Sequence, residues 1–129
     1  MQIIALVGPS GTGKSHRATG IAHQLEAQAI IDDGLLIQGN RILAGSSAKR
    51  QPTRIGAIKS ALFLEEDKVN EIKKAISDLA PAKILILGTS KEMAEKIASR
   101  LGLPTPSKYL SIEDVASEKE IRKAKYIRS

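Results

Sequence analysis

One glycine-rich stretch near the start of the chain constrains its fold more than any other feature. Residues 8–15 read Gly-Pro-Ser-Gly-Thr-Gly-Lys-Ser, which fits the pattern G-x-x-x-x-G-K-[ST] at every fixed position. The run before it, from Ile3 to Val7, is apolar and rich in β-branched residues, as in a buried strand. After the stretch, apolar residues recur at the three- and four-residue intervals of a helix, at Ala18, Ile21, Ala22 and Leu25. The sequence therefore predicts a turn between a strand and a helix.

The residue types in this turn suit the binding of a phosphate chain. Its glycines lack a Cβ, so the backbone can adopt positive φ and approach a phosphate closely. Successive N–H groups then form an anion nest at the positive end of the helix dipole. Lys14 is expected to contact the β- and γ-phosphates, and the Ser15 hydroxyl to bind Mg²⁺. The predicted nucleotide-binding set is Gly8, Pro9, Ser10, Gly11, Thr12, Gly13, Lys14, Ser15 and His16.

His16 belongs to this set through its position alone, on the first turn of the helix after the motif. Neither His16 nor His23 has the carboxylate or ligand partners of a metal or catalytic site nearby in the sequence. A surface or half-buried helix position is the simpler interpretation of both.

The motif resembles the Walker A loop of the P-loop NTPase superfamily over roughly the first thirty residues. The resemblance becomes weaker beyond them. The strand over 29–31 that ends in Asp32 and Asp33 is similar to that of small shikimate-kinase-like and nucleotide-kinase-like proteins, and the chain also resembles small bacterial proteins described only as ATP-binding P-loop proteins. This resemblance implies ATP and Mg²⁺ as ligands. The sequence contains no Asn-Lys-x-Asp motif for guanine, so ATP is predicted rather than GTP.

Size and composition restrict the remaining possibilities. The chain has 129 residues and no cysteine, which predicts one domain, 1–129, in a reducing compartment. Without a secretory signal or a long apolar run, we expect a cytoplasmic protein that does not contact membranes. The net charge of +6 predicts anionic partners. The few aromatic residues argue against base stacking with single-stranded nucleic acid.

Two acidic residues follow the second predicted strand, which covers 29–31. Asp32 and Asp33 then lie at the carboxyl edge of the sheet, where open α/β folds bind ligands. The resemblance to small P-loop kinases implies that they hold the phosphoryl acceptor or organise Mg²⁺. An apolar run ending in aspartate also matches the Walker B pattern, with Asp32 near the metal. A third interpretation is a solvated turn, because Asp-Gly is a common turn pair.

Segment 35–59 is predicted to be a hairpin followed by a basic, lid-like loop. Two apolar runs flank Gly39-Asn40, which is a hairpin signal and a departure from most small P-loop kinases. Residues 45–59 contain no carboxylate. The resemblance to a kinase lid implies that Lys49, Arg50 or Arg54 contacts the transferred phosphate. A solvated loop and contact with a nucleic-acid backbone remain as alternatives.

The rest of the chain continues the alternation of strands and helices. In order, the sequence predicts helices over 55–63 and 65–79, a strand over 83–87, a helix ended by Gly102, a strand over 108–112, and a basic helix over 113–129. No acid follows the 83–87 strand. The next residues, Thr89 and Ser90, are predicted to cap the helix, with Thr89 and Glu92 as a capping box, or to face the nucleotide as polar sensors.

These elements predict an α/β fold, a three-layer α/β/α sandwich with a small, mostly parallel sheet. It corresponds to a P-loop NTPase fold with a hairpin insertion. The predicted function is a Mg²⁺·ATP-dependent ATPase or small kinase-like phosphotransferase. Its candidate catalytic residues are Lys14, Asp32, Asp33, Arg50 and Arg54, and its candidate metal residues are Ser15 and Asp32. The alternative is a non-catalytic, ATP-responsive module whose basic loop contacts a protein or nucleic acid.

Overall fold

Strands and helices alternate along the part of the chain that the structure, a computed structural model, describes: residues 1–9, 14–45, 53–55, 58 and 66–112. The predicted helix over 55–63 lies largely outside these residues, and the one over 113–129 entirely so. The elements are β1 (Gln2–Val7), α1 (Lys14–Leu25), β2 (Ala29–Asp32), β3 (Leu35–Gln38), β4 (Arg41–Gly45), α2 (Glu66–Leu79), β5 (Lys83–Gly88), α3 (Lys91–Arg100) and β6 (Lys108–Ser111).

The strands form one six-stranded sheet in the order β4-β3-β2-β5-β1-β6. The four strands β2, β5, β1 and β6 are parallel to one another, and β3 and β4 add an antiparallel edge next to β2. The central strand β5 is buried along Ile84 to Gly88, as expected for a parallel strand covered on both faces. The predicted α/β fold with a mostly parallel sheet is confirmed.

Helices cover both faces of the sheet. Alternate side chains such as Ile3, Ile31 and Ile86 pack with buried residues of α2 and α3. The intervening ones, such as Ile4, Ile30 and Leu85, pack with α1. Right-handed crossovers that run in opposite directions along a sheet must lie on opposite faces. Since β1 leads to β2 and β5 leads to β6 in opposite directions, the three-layer arrangement follows from this rule.

The predicted hairpin is present, but it belongs to a longer meander. β3 and β4 are joined by Gly39-Asn40, as expected, and β3 also pairs antiparallel with β2. Asp33 and Gly34 form the turn between β2 and β3, with φ of 54° and 80°. Two central residues with positive φ are typical of a type I′ hairpin turn. The sequence prediction treated 35–44 as a separate insertion, whereas β2 itself begins the meander.

The predicted capping box at the start of α3 is wrong in its register. The N-cap is Ser90, and its hydroxyl accepts a hydrogen bond from the Met93 backbone N–H at 3.1 Å. The third residue after the cap is therefore Met93, which has no carboxylate to return the bond. Thr89 lies before the cap, where its hydroxyl contacts the Met93 thioether at 3.4 Å. Glu92 still lies in the first turn, where it favours the helix dipole.

Helices α1 and α3 end in the same hydrogen-bonding motif. In α3, the Leu103 N–H donates to Ala98 O at 2.8 Å, with Gly102 at φ 66°. In α1, the Ala27 N–H donates to Ala22 O at 2.8 Å, but the residue in the left-handed conformation is Glu26, at φ 60°. This is the Schellman motif, in which glycine is preferred. The prediction that Gly102 ends α3 is confirmed.

Replacing Glu26 with glycine is expected to stabilise the protein by about 0.5–1 kcal/mol. A side chain with a Cβ costs about 1–2 kcal/mol in the left-handed conformation, and the greater unfolded-state freedom of glycine offsets part of the gain. Urea unfolding with an unchanged m-value measures the difference. Glu26→Ala is the control, because it removes the carboxylate but keeps the Cβ. An equal gain in both variants would contradict the backbone explanation.

Strand β6 is linked to α3 through the Tyr109 side chain. The Tyr109 hydroxyl donates a hydrogen bond to the Glu95 carboxylate at 2.8 Å, and the Lys91 ammonium lies 5.3 Å from the ring centroid. The hydrogen bond to Glu95 raises the pKa of Tyr109 above its ordinary value of 10.0, with smaller contributions from desolvation and from the carboxylate charge. The folded protein therefore holds this proton more tightly than the unfolded chain.

In an alkaline titration followed by tyrosinate absorbance, Tyr109 should ionise above its ordinary pKa, and Glu95→Gln should lower that pKa toward the ordinary value. Because the folded-state pKa is raised, the stabilisation is complete below the unfolded pKa and is lost as pH rises through the folded pKa. Tyr109→Phe assigns the signal, since the chain has two tyrosines. An unchanged Tyr109 pKa in Glu95→Gln would exclude the hydrogen bond as the cause.

Candidate functional site

The topology of the sheet marks one crevice at its carboxyl edge. β1 and β5 are neighbours, yet the connection from β1 leads through α1 to β2, and that from β5 leads through α3 to β6 on the other side. In open α/β sheets, ligands bind where adjacent strands send their connections in opposite directions. The glycine-rich turn leaves β1 at this point. The fold and the motif therefore identify the same site.

The described ends of the turn line this crevice. The Gly8 N–H donates to Gly88 O at 3.1 Å, which ties the start of the turn to the end of β5. Gly8 is buried, whereas Pro9 is exposed. On the other side, α1 begins with the half-buried Lys14 and the exposed Ser15. Residues 10–13 of the predicted nucleotide-binding set, Ser10, Gly11, Thr12 and Gly13, lie outside the described residues.

The Lys14 side chain folds back over the start of the turn. Its ammonium donates hydrogen bonds to Gly8 O at 2.6 Å and to Pro9 O at 2.9 Å. An ammonium has three donors and can rotate among them, so contacts to backbone carbonyls are compatible with contacts to a ligand. A positive charge thus lies at the carboxyl end of β1, beside the beginning of α1.

The electrostatics of α1 differ from those of the other described helices. The first turn of α2 contains Glu66 and Asp67, and that of α3 contains Glu92. Such acids compensate the positive end of a helix dipole. The first turn of α1 contains no acidic residue and begins with Lys14. The helix dipole and the ammonium therefore add their positive charge at the crevice, as an anion site requires.

The two acidic candidates occupy different backbone positions. Asp32 is the last residue of β2. Ile31 pairs with Ile86, and Ile86 pairs with Ala5, so Asp32 is level with the residue after Ala5, which is one residue before the end of β1. Strand alternation puts Asp32 on the α1 face. Since β5 separates β2 from β1, the two backbones are roughly 10 Å apart. Asp33 lies in the hairpin turn, as the turn interpretation predicted.

The end of β5 supplies no acid to the crevice. The strand ends at Gly88, followed by Thr89 and Ser90, which are both exposed. The Ser90 hydroxyl caps α3, and the Thr89 N–H and hydroxyl contact the Met93 thioether at 3.3 Å and 3.4 Å. The Ser90 hydroxyl therefore has the predicted capping role, whereas the Thr89 hydroxyl contacts Met93. A sensor role for either residue stays a prediction.

The remaining candidates are the basic residues of the predicted lid and the two histidines. Arg54 is exposed and helical, whereas Lys49 and Arg50 lie outside the described residues. His16 and His23 are exposed on α1, as expected. Within the described ranges, no group of three or more His, Asp or Glu side chains could hold a metal ion. The sequence did not predict that the Gly88 carbonyl accepts the hydrogen bond from the Gly8 N–H. The only indication in the sequence is a glycine at the end of an apolar strand.

The strand, turn and helix at this crevice define a P-loop NTPase fold. The family model described as "ABC transporter" matches residues 1–121, so the chain belongs to this family. It is accordingly an ATP-binding P-loop protein, in a family whose ATP-binding domains bind ATP with Mg²⁺. The match supports the superfamily and does not confirm the kinase-like resemblance.

A comparison with curated proteins finds none that matches the chain. Among the described helices, none is long and apolar enough to cross a membrane.

Proposed function

We propose that the protein hydrolyses ATP, with Mg²⁺, at the crevice between β1 and β5. The observation that carries this proposal is the Lys14 ammonium, held at Gly8 O and Pro9 O beside the start of α1. Lys14 would contact the β- and γ-phosphates, while backbone N–H groups of the turn and of α1 surround them. The charge that develops on the transferred phosphoryl group would then be neutralised at a preorganised site.

The Ser15 hydroxyl and the Asp32 carboxylate are the proposed metal-side groups. Ser15 is exposed on the first turn of α1, where its hydroxyl could bind Mg²⁺ directly. Mg²⁺ would supply positive charge beside the phosphate groups at this position. Asp32, two strands away on the same face, would help to hold the ion through a water molecule. Asp33 lies in the adjacent hairpin turn, and the proposal gives the metal-side role to Asp32.

The proposed reaction is the attack of water on the γ-phosphorus. The new P–O bond forms as the bond to the bridging oxygen breaks, ADP leaves, and the proton of the water ends on inorganic phosphate or solvent. Arg50 or Arg54 would supply positive charge to the transferred group in cis. If a hydroxyl of another molecule replaces water, the same site carries out phosphoryl transfer.

A second candidate is an ATP-responsive binding module without turnover. The observation that favours it is the end of β5, which has Gly88 and Thr89 where a catalytic acid beside the P-loop would be expected. A bound γ-phosphate can order a neighbouring segment without being cleaved. Residues 45–59 would then be the segment that meets a partner.

Release of phosphate from ATP, measured with and without Mg²⁺, separates these functions. The proposal predicts release that requires Mg²⁺ and decreases in Arg54→Ala or in Arg50→Ala. ATP binding without release would favour the binding module. Formation of ADP without free phosphate would indicate transfer to an acceptor. Release that continues undiminished in Lys14→Ala would exclude this site as the source of the activity.

A further inference from the structure

The corner between β5 and α3, residues 88–90, lies directly against the P-loop. The Gly88 carbonyl accepts the hydrogen bond from the Gly8 N–H at 3.1 Å. Any displacement of this corner therefore moves or releases the first residue of the P-loop. Gly8 is buried, so losing this partner would also leave its N–H without a hydrogen bond in a place that water reaches poorly.

One residue, Met93, contacts this corner in three ways. Its thioether sulfur lies 3.3 Å from the Thr89 backbone nitrogen and 3.4 Å from the Thr89 hydroxyl. Its backbone N–H donates to the Ser90 hydroxyl at 3.1 Å. Its Cβ also lies near the corner, at an ordinary contact distance of 3.6 Å from a Cβ built on Gly88. Both contacts with Thr89 thus depend on the chemistry of one sulfur atom.

Met93 is also a distinctive target for oxidation. The chain has no cysteine and two methionines, of which the other is Met1. Met93 is half-buried and packs against the core, so part of the residue is open to solvent and to a small oxidant. Oxidation of methionine to the sulfoxide converts an apolar side chain into a polar one and is reversible by reductases.

Oxidation of the Met93 thioether changes the size and polarity of the group that contacts Thr89. A peroxide transfers one oxygen atom to Sδ: the O–O bond breaks, the S–O bond forms, the sulfur loses two electrons, and water leaves. An N–H···O hydrogen bond needs about 2.9 Å between its heavy atoms. An oxygen added on the side of Sδ that faces Thr89 therefore cannot enter the 3.3 Å line between Thr89 N and Sδ unless the side chain or the corner moves.

We propose that Met93 is an oxidation-sensitive switch for the P-loop. In the reduced protein, its thioether holds residues 88–90 so that Gly88 O meets Gly8 N. A peroxide-type oxidant displaces the corner and weakens nucleotide binding at residues 8–15, and a dithiol-dependent sulfoxide reductase reverses the change. The inference rests on the nucleotide site of the proposed function and does not depend on whether ATP is hydrolysed.

The test compares Mg²⁺·ATP affinity of the full chain before and after treatment with hydrogen peroxide, with sulfoxide at Met93 quantified by peptide mass spectrometry. Oxidation is expected to weaken binding about fivefold or more, the scale of coupling between linked sites. Met93→Leu is the matched control, because leucine has a similar volume and no sulfur. Its affinity should be the same with and without peroxide, although Met1 oxidises in both proteins.

Three results would overturn the switch: full sulfoxide formation with unchanged affinity, an equal loss in Met93→Leu, or global unfolding seen by circular dichroism. Backbone amide NMR signals provide a readout that does not require nucleotide. Oxidation should shift the Thr89 and Gly8 signals in the wild type and leave both in place in Met93→Leu. If the reduced protein binds no ATP, the proposed function fails, while these signals still decide whether the corner moves.

Discussion

Replacing Lys14 with alanine is expected to weaken Mg²⁺·ATP binding roughly 100-fold while the protein stays folded. Hydrogen bonds to charged groups contribute about 1.5–3 kcal/mol each, and each 1.4 kcal/mol is a factor of ten in affinity. The Lys14 ammonium contacts Gly8 O and Pro9 O at the mouth of the crevice, so its loss removes charge from the site and leaves the core unchanged. Calorimetric titration measures the affinity, and thermal unfolding checks the fold.

Lys74→Ala is the matched control for this experiment. Lys74 is exposed on α2, on the opposite face of the sheet from α1, and its removal changes the net charge by the same amount. It should bind ATP like the wild type. An ATP affinity in Lys14→Ala equal to that of the control would contradict the assignment of residues 8–15 as the nucleotide site.

Replacing Asp32 with asparagine is expected to reduce Mg²⁺-dependent phosphate release by about 10–100-fold, the range seen when groups beyond the direct ligands of a metal are lost. Asparagine keeps the shape of the side chain and removes its charge. The register of β2 with β5 and β1 puts Asp32 at the carboxyl edge on the face that α1 covers. Steady-state assays over a range of Mg²⁺ concentrations should show the loss.

Asp33→Asn provides the comparison, because Asp33 is adjacent in sequence but lies in the hairpin turn at φ 54°. Asparagine tolerates the left-handed conformation, so the turn should be retained. We expect Asp33→Asn to keep most of the Mg²⁺-dependent activity. If both substitutions have equal and negligible effects, neither carboxylate takes part in binding the metal, and Asp32 is not the metal-side acid.

The parts of the fold that the sequence predicted correctly are those with strong local signals. The apolar runs at 3–7 and 84–87 lie in the inner strands β1 and β5, as is typical of parallel strands that are covered on both faces. Val69, Ile72 and Ile76 form the buried stripe of α2, as their spacing predicted. The carboxyl edge of the sheet was predictable because parallel strands that alternate with helices share it.

The sequence left two features of the fold undecided because the local signals were ambiguous. Asp33-Gly34 is compatible with an acidic site and with a turn, and its two positive φ values show that it forms the turn of a second hairpin. A role for the Asp33 carboxylate stays a prediction. β2 has only four residues, and a strand this short does not predict that it pairs antiparallel with β3. The capping register of α3 failed for a similar reason, since Thr89 and Ser90 are both good N-cap residues and only the backbone decides between them.

The site was predicted in part. Lys14, Ser15 and the glycines followed from the motif, and the structure places the described members at the crevice that the topology defines. The contacts of Gly88 with Gly8 and of Thr89 with Met93 depend on how β5 and α3 pack beside β1, which no spacing in the sequence encodes. The roles of Lys49, Arg50 and Arg54 in a lid remain predictions.

Calorimetric titration of the wild-type chain tests most directly whether residues 8–15 bind Mg²⁺·ATP. ATP and GTP would each be titrated with and without Mg²⁺. The structure and the family lead us to expect saturable, one-to-one ATP binding that Mg²⁺ strengthens, with weaker binding of GTP. Absence of ATP binding by a folded chain, with and without Mg²⁺, would contradict the account.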